Sequence, residues 1–194
     1  WRGCALPPAD SYLNDVVATP DGGFVTTHMM PLSSQSSSML RASLFGTDVG
    51  HVLDWSPDDG WSQVPGSEAP MPNGIEIAHD GASVYVNVYL GNEVRRIDRT
   101  TGDLLGRVDV SQPDNITWSA DGDLLLVASH TGGMRDSMSC FDLETGNCAL
   151  AFEIVAIDPD TLERKTVLAH GGAPMGAATV AVQVGTDLWL GTFA

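Results

Sequence analysis

Side chains with hard oxygen donors return at one position of a repeated segment. Asn14 opens NDVVATPDG, Asn73 opens NGIEIAHDG, and Asp114, followed by Asn115, opens DNITWSADG. The three copies align without gaps, and each reaches Asp-Gly after the same interval. Amide and carboxylate oxygens suit calcium or magnesium better than a thiolate-seeking metal. Asn and Asp also bond to local backbone at strand ends. That accounts for one copy more easily than for three in register. The expected chemistry is therefore a divalent cation held by Asn14, Asn73, Asp114 and Asn115. Calcium leads, with magnesium, zinc or manganese as alternatives. Three amides would hold the ion without adding negative charge, leaving it a strong Lewis acid.

The repeat also names the elements that must position these residues. A strand-like run follows each Asp-Gly: FVTTH, SVYVNVY and DLLLVASH. A fourth copy, GAATVAVQVGTDLWLGTFA, keeps the apolar strands and the glycine turn but loses the opening Asn or Asp. Between copies lie second hairpins, HVLDWSPDDGWSQV, EVRRIDRTTGDLLGRV and EIVAIDPDTLERKTVL, each two short strands around a polar turn. One unit is thus two hairpins. Four-stranded antiparallel units whose starts recur 59 and 41 residues apart predict an all-β chain of β-propeller blades. The blades are expected at approximately 13–66, 72–110 and 113–170, with a half blade at 175–194, all in a single partial domain 1–194. A β-sandwich also has many short strands, but it does not explain the returning Asn or Asp.

Antiparallel geometry puts the short turns on one face of such a blade. The opening of the innermost strand, the long second-to-third strand loops and the blade connections share the other. Residues 29–48 and 131–150 read as those long loops, the first partly a mobile Ser-rich stretch and the second carrying Met134, Met138 and Phe141. Methionines there would suit an apolar ligand. His28 ends the first of the second strands, Tyr89 the second and His130 the third, so the two histidines are expected at matching positions beside the Asn and Asp cluster.

LNDVVATPDGGFVTTH, PNGIEIAHDGASVYV and PDNITWSADGDLLLVASH resemble the senescence marker protein/gluconolactonase and paraoxonase/arylesterase superfamily of six-bladed propellers. The resemblance implies a calcium or other divalent ion in the central channel. It matches Asn14, Asn73 and Asp114 to metal-binding positions of both branches, and Asn115 to a further ligand of the paraoxonase-like branch. Asp15 follows Asn14 as in that branch, where the equivalent carboxylate helps hold a second, structural calcium. His130 matches a histidine near that branch's active site, and His28 lies near another. A glutamate ligand from an early blade is missing here. About three and a half of six blades are present, so the chain is expected to be a piece of one of ~300 residues, folding poorly alone because an unclosed propeller exposes sheet edges.

The implied activity is hydrolysis of a small-molecule lactone or ester. The cation would polarise the carbonyl, Asp114 would bind metal and orient water, and His130, with His28 as a further candidate, would act as general base. No Gly-x-Ser-x-Gly elbow occurs, which disfavours a covalent serine route. Two other readings stay open: a non-catalytic binding propeller with structural calcium, and a strictosidine synthase-like enzyme. A formal charge of -16, from 25 acidic against 9 basic residues, argues against nucleic acid or an anionic membrane as partner. Cys140 and Cys148 bracket a loop that a disulfide could close, leaving Cys4 unmatched. Export is slightly favoured over a cytoplasmic location.

Overall fold

A computed structural model describes residues 3–133, 136, 140, 143 and 148–192. It is built from four-stranded antiparallel sheets, each a meander in chain order, as the repeat predicts. The first holds β1 (Ser11–Ala18), β2 (Phe24–Pro31), β3 (His51–Ser56) and β4 (Gly60–Gln63). The second holds β5 (Pro72–Ile77), β6 (Ser83–Val88), β7 (Glu93–Asp98) and β8 (Leu104–Asp109). The third holds β9 (Pro113–Trp118), β10 (Leu125–His130), β11 (Phe152–Ile157) and β12 (Arg164–His170). A two-stranded sheet follows, β13 (Ala178–Val184) and β14 (Asp187–Thr192). This is the blade architecture of a β-propeller.

Sequence explains the sheets strand by strand. β6 and β10 are buried along their whole length and are mainly apolar, whereas β8 and β12 are largely exposed. Each first hairpin turns at Asp-Gly, where Gly22, Gly81 and Gly122 have φ of 89, 74 and 79°. Glycine takes that left-handed backbone without a Cβ penalty. In the second hairpins Asp98 and Asp158 do the turning. Each Oδ1 accepts two amides, Thr100 and Thr101 for Asp98, Asp160 and Thr161 for Asp158.

The chain divides into two compact units, Trp1–Gly91 with Arg95–Arg107, and Asn92–Val94 with Val108–Ala194. In the first, Val25 and Val52 of the first sheet, with Val64 just past β4, pack on Ile75, Ile77, Val84, Val86 and Ile97 of the second. Arg99 adds a bidentate pair with Asp54, at 2.5 and 3.0 Å, and reaches Asp21 at 3.0 Å. In the second unit Leu126, Phe152 and Ile154 pack with Ala178 and Ala181.

The stretch expected as a loop at 29–48 contains a helix, α1 (Gln35–Phe45). It buries only Ser38 and Ala42 and leaves Leu40, Leu44 and Phe45 exposed, Phe45 at 77%. Cys140 and Cys148 form a disulfide with their Cα atoms 5.0 Å apart, and Cys4 is an exposed free cysteine. Met134, Met138 and Phe141 lie outside the described residues.

Candidate functional site

The repeated Asn or Asp does not merely open a strand; it sits in a β-bulge. In the first sheet Leu13 pairs with His28 and Val16 with Thr26, so Asn14 and Asp15 together face Thr27. In the second, Pro72 pairs with Val88 and Ile75 with Val86, so Asn73 and Gly74 face Asn87. In the third, Pro113 pairs with Ser129 and Ile116 with Val127, so Asp114 and Asn115 face Ala128. Two residues against one re-aims side chains locally. The first bulge position is therefore Asn14, Asn73 or Asp114, and the second is Asp15, Gly74 or Asn115.

Within the first unit the two positions do different things. Asp15, at the second, fastens neighbouring sheets: its Oδ2 accepts the Ile75 amide at 3.0 Å and its Oδ1 the Val16 amide at 2.8 Å. Thr27, opposite the bulge, donates its hydroxyl to the Asn73 carbonyl. Asn14, at the first position, is exposed, and its Nδ2 donates to Met29 Sδ at 3.1 Å. Asn73 is only 4% exposed, and its Oδ1 is buried with no hydrogen-bond partner. An amide oxygen left unpartnered in the interior is costly. It is the donor an oxygen-preferring cation would satisfy.

The second unit repeats the division. Asn115 Nδ2 donates to the Thr179 carbonyl at 2.9 Å and Thr117 Oγ1 to the Ala181 carbonyl at 2.6 Å, tying β9 to β13. Asp114 is 8% exposed, and its Oδ2 lies 3.8 Å from His130 Nε2. His130 is 2% exposed, and its Nε2 is 3.2 Å from the Ala178 carbonyl. A carbonyl only accepts, so Nε2 carries the hydrogen in this contact. Burial lowers the pKa of His130, against the opposing pull of the Ala178 and Ala177 backbone. Among the described residues no three His, Cys, Asp or Glu side chains cluster as a metal site. At the first bulge position the first unit offers the amides of Asn14 and Asn73 and the second unit the carboxylate of Asp114, oxygen donors of the kind calcium takes.

The expected match of His28 with His130 does not hold. The Asp-Gly turn of the first sheet is one residue shorter, since Ala18 pairs with Phe24 whereas Trp118 pairs with Leu125. The residue following the strand partner of the pre-bulge position is thus Met29 in one sheet and His130 in another. Met29 touches Asn14 as His130 approaches Asp114. His28 falls one residue earlier, on the opposite face of β2. There it pairs with His51, ring centroids 4.7 Å apart, and its Nδ1 is buried without a partner. Burial lowers the pKa of both histidines. His51 was not singled out from sequence, although it opens HVLDW directly across from His28. Glu76 was missed as well. Burial raises its pKa, and the nearby Asp15 carboxylate pushes the same way, while Asp15 is itself raised by burial.

The fold is similar to that of virginiamycin B lyase from Staphylococcus aureus, with a TM-score of 0.56 and 17% identity over 95% of this chain and 50% of that one. It is also similar to hydrazine synthase of Kuenenia stuttgartiensis (0.54, 16%, 91% and 40%) and to a luciferin-regenerating enzyme (0.52, 16%, 89% and 49%). The chain spans half or less of each of these, and at such identities the likeness shows the fold alone. No curated protein sequence matches it. The family model for arylesterases matches residues 11–194. All three bulges, their Asn and Asp side chains and His130 fall inside that match, and the chain belongs to the arylesterase family.

Proposed function

We propose that the protein is a metal-dependent hydrolase of a small-molecule lactone or ester, of arylesterase or gluconolactonase type. The observation that carries this reading is the buried, unpartnered Oδ1 of Asn73 at a bulge position that recurs with Asn14 and Asp114. Those three residues and Asn115 would hold the ion, calcium before magnesium, zinc or manganese. A cation bound there would polarise the ester carbonyl and stabilise the oxyanion.

The chain's own residues supply the rest. Burial favours the neutral form of His130, which would act as the general base toward water. The Asp114 carboxylate, 3.8 Å from Nε2, stabilises the imidazolium that forms. The hydroxide so generated adds to the carbonyl carbon, and the imidazolium returns its proton to the leaving oxygen. Asp15 fastens β1 to β5 and would serve a second, structural cation through its remaining lone pairs. His28 faces the other side of β2 and is given no proton-transfer step. The Cys140–Cys148 disulfide supports export to an oxidising compartment. Among the described residues no helix is long and apolar enough to cross a membrane.

The test is hydrolysis of phenyl acetate and an aliphatic lactone by wild type and Asp114→Ala. The variant should lose about 100-fold or more in kcat/KM on whichever substrate is turned over. Equal rates for the two proteins would sink the reading.

A further inference from the structure

The connection from β10 to β11 carries a cross-link that the hydrolytic scheme does not use. Cys148 is buried and packs with Leu150 and Ala177, with Cys140 against that cluster. The disulfide therefore ends on a short buried run, residues 148–150. This run is gripped by the connection that leads into β13. The Ala177 amide donates to the Leu150 carbonyl at 2.8 Å. A Cβ at Gly172 would strike the Ala149 carbonyl, and one at Gly176 the Cys148 carbonyl, so the two backbones lie in direct contact.

This run and the adjoining Ala151 bracket His130 from both sides. Thr131, the next residue, donates its amide to the Ala151 carbonyl at 2.9 Å. Ala177 precedes Ala178, whose carbonyl fixes the His130 ring through Nε2. A covalent tie at Cys148 thus reaches His130 through two short routes, one to its backbone through the Thr131–Ala151 hydrogen bond and one to its ring through Ala177 and the Ala178 carbonyl.

We infer that the Cys140–Cys148 disulfide positions His130, and that reducing it loosens this histidine without unfolding the sheets. Only the catalytic consequence rests on the hydrolytic reading; the positioning is independent of it. Reduction by a dithiol supplies two electrons and two protons. The S–S bond breaks, two thiols form, and the dithiol closes to its own cyclic disulfide. Cys140 is partly exposed, which gives the reductant access.

The experiment compares oxidised protein, protein reduced with dithiothreitol, and Cys140→Ser, which cuts the bond but keeps the buried Cys148 side chain. The readouts are amide exchange at Ala177, the His130 ring Hε1 resonance, and steady-state ester hydrolysis. Cutting the bond should speed Ala177 exchange by about tenfold or more and shift or broaden the ring resonance, with Val127 and Ile154 protection unchanged. It should lower kcat by about three- to tenfold with KM within about twofold. An unmoved ring resonance and unchanged Ala177 exchange, with both thiols titratable, would overturn the inference. So would loss of protection throughout β9–β12, because the bond would then support the sheet rather than the histidine. If Cys140→Ser does not fold, the reduced wild type gives the same readouts. Movement of His130 with unchanged hydrolysis would support the positioning and remove His130 from the catalytic scheme.

Discussion

Replacing Asp15 with alanine removes an acceptor that is used twice. Its Oδ1 takes the Val16 amide and its Oδ2 the Ile75 amide. The two losses are unequal. Val16 is 59% exposed, so its amide turns to water at little cost. Ile75 is 2% exposed and lies in the core joining the first and second sheets, so its amide is stranded. Leaving one buried donor unsatisfied costs about 1–3 kcal/mol. Asp15→Asn keeps one carbonyl oxygen, enough for Ile75, and turns its NH2 toward the Val16 side where water competes. It should cost no more than about 1 kcal/mol. Urea unfolding at pH 7 with a common m-value reads both numbers. The reasoning is refuted if Asp15→Ala lies within about 0.5 kcal/mol of wild type, or if Asp15→Asn is as damaging as Asp15→Ala.

Two other perturbations test the same framework. Burial, and for His28 also the neighbouring His51, holds His28 and His51 below 6.5, with Asp10 and Glu68 respectively pulling the other way. The unfolded chain therefore binds more protons once pH falls below about 6.5, and stability should decline from there until the folded histidines titrate in turn. His28→Leu should flatten that slope between pH 7 and 5 in urea titrations, and an unchanged slope would count against it. Cys140→Ser releases a loop of sequence separation 8, which on chain entropy should lower unfolding free energy by about 2.5 kcal/mol. Calorimetry showing no loss would mean the bond does not restrain the unfolded chain.

The blades were legible because each carries its own punctuation. Asp-Gly marks the first hairpin of each four-stranded sheet, and Asp98 and Asp158 mark the second hairpins of the second and third sheets. The bulges were not legible as bulges. An unpaired residue leaves no compositional trace, so Asn14, Asn73 and Asp114 read as strand starts. The His28 misalignment has the same root: a turn shorter by one residue reverses the face of everything after it. Helix α1 was hidden because its apolar residues point away from the sheet, with Ser38 and Ala42 beneath. A pattern search for an inward apolar stripe finds nothing there. Asp15 and Asn115 were read only as cation ligands. Their fastening role depends on which backbone atoms the next sheet presents, and that is a tertiary fact.

The central claim is that oxygen donors at the first bulge position hold a cation required for ester hydrolysis. Its most direct measurement is the rate of aryl-ester hydrolysis against free calcium, from chelated to millimolar, for wild type and Asn73→Leu. Asn73→Leu exchanges the buried, unpartnered amide for an apolar group of similar size. The account predicts a saturable, calcium-dependent rate in wild type and a midpoint at least about tenfold higher in the variant. A wild-type rate that survives full chelation, or identical calcium curves for the two proteins, would contradict it.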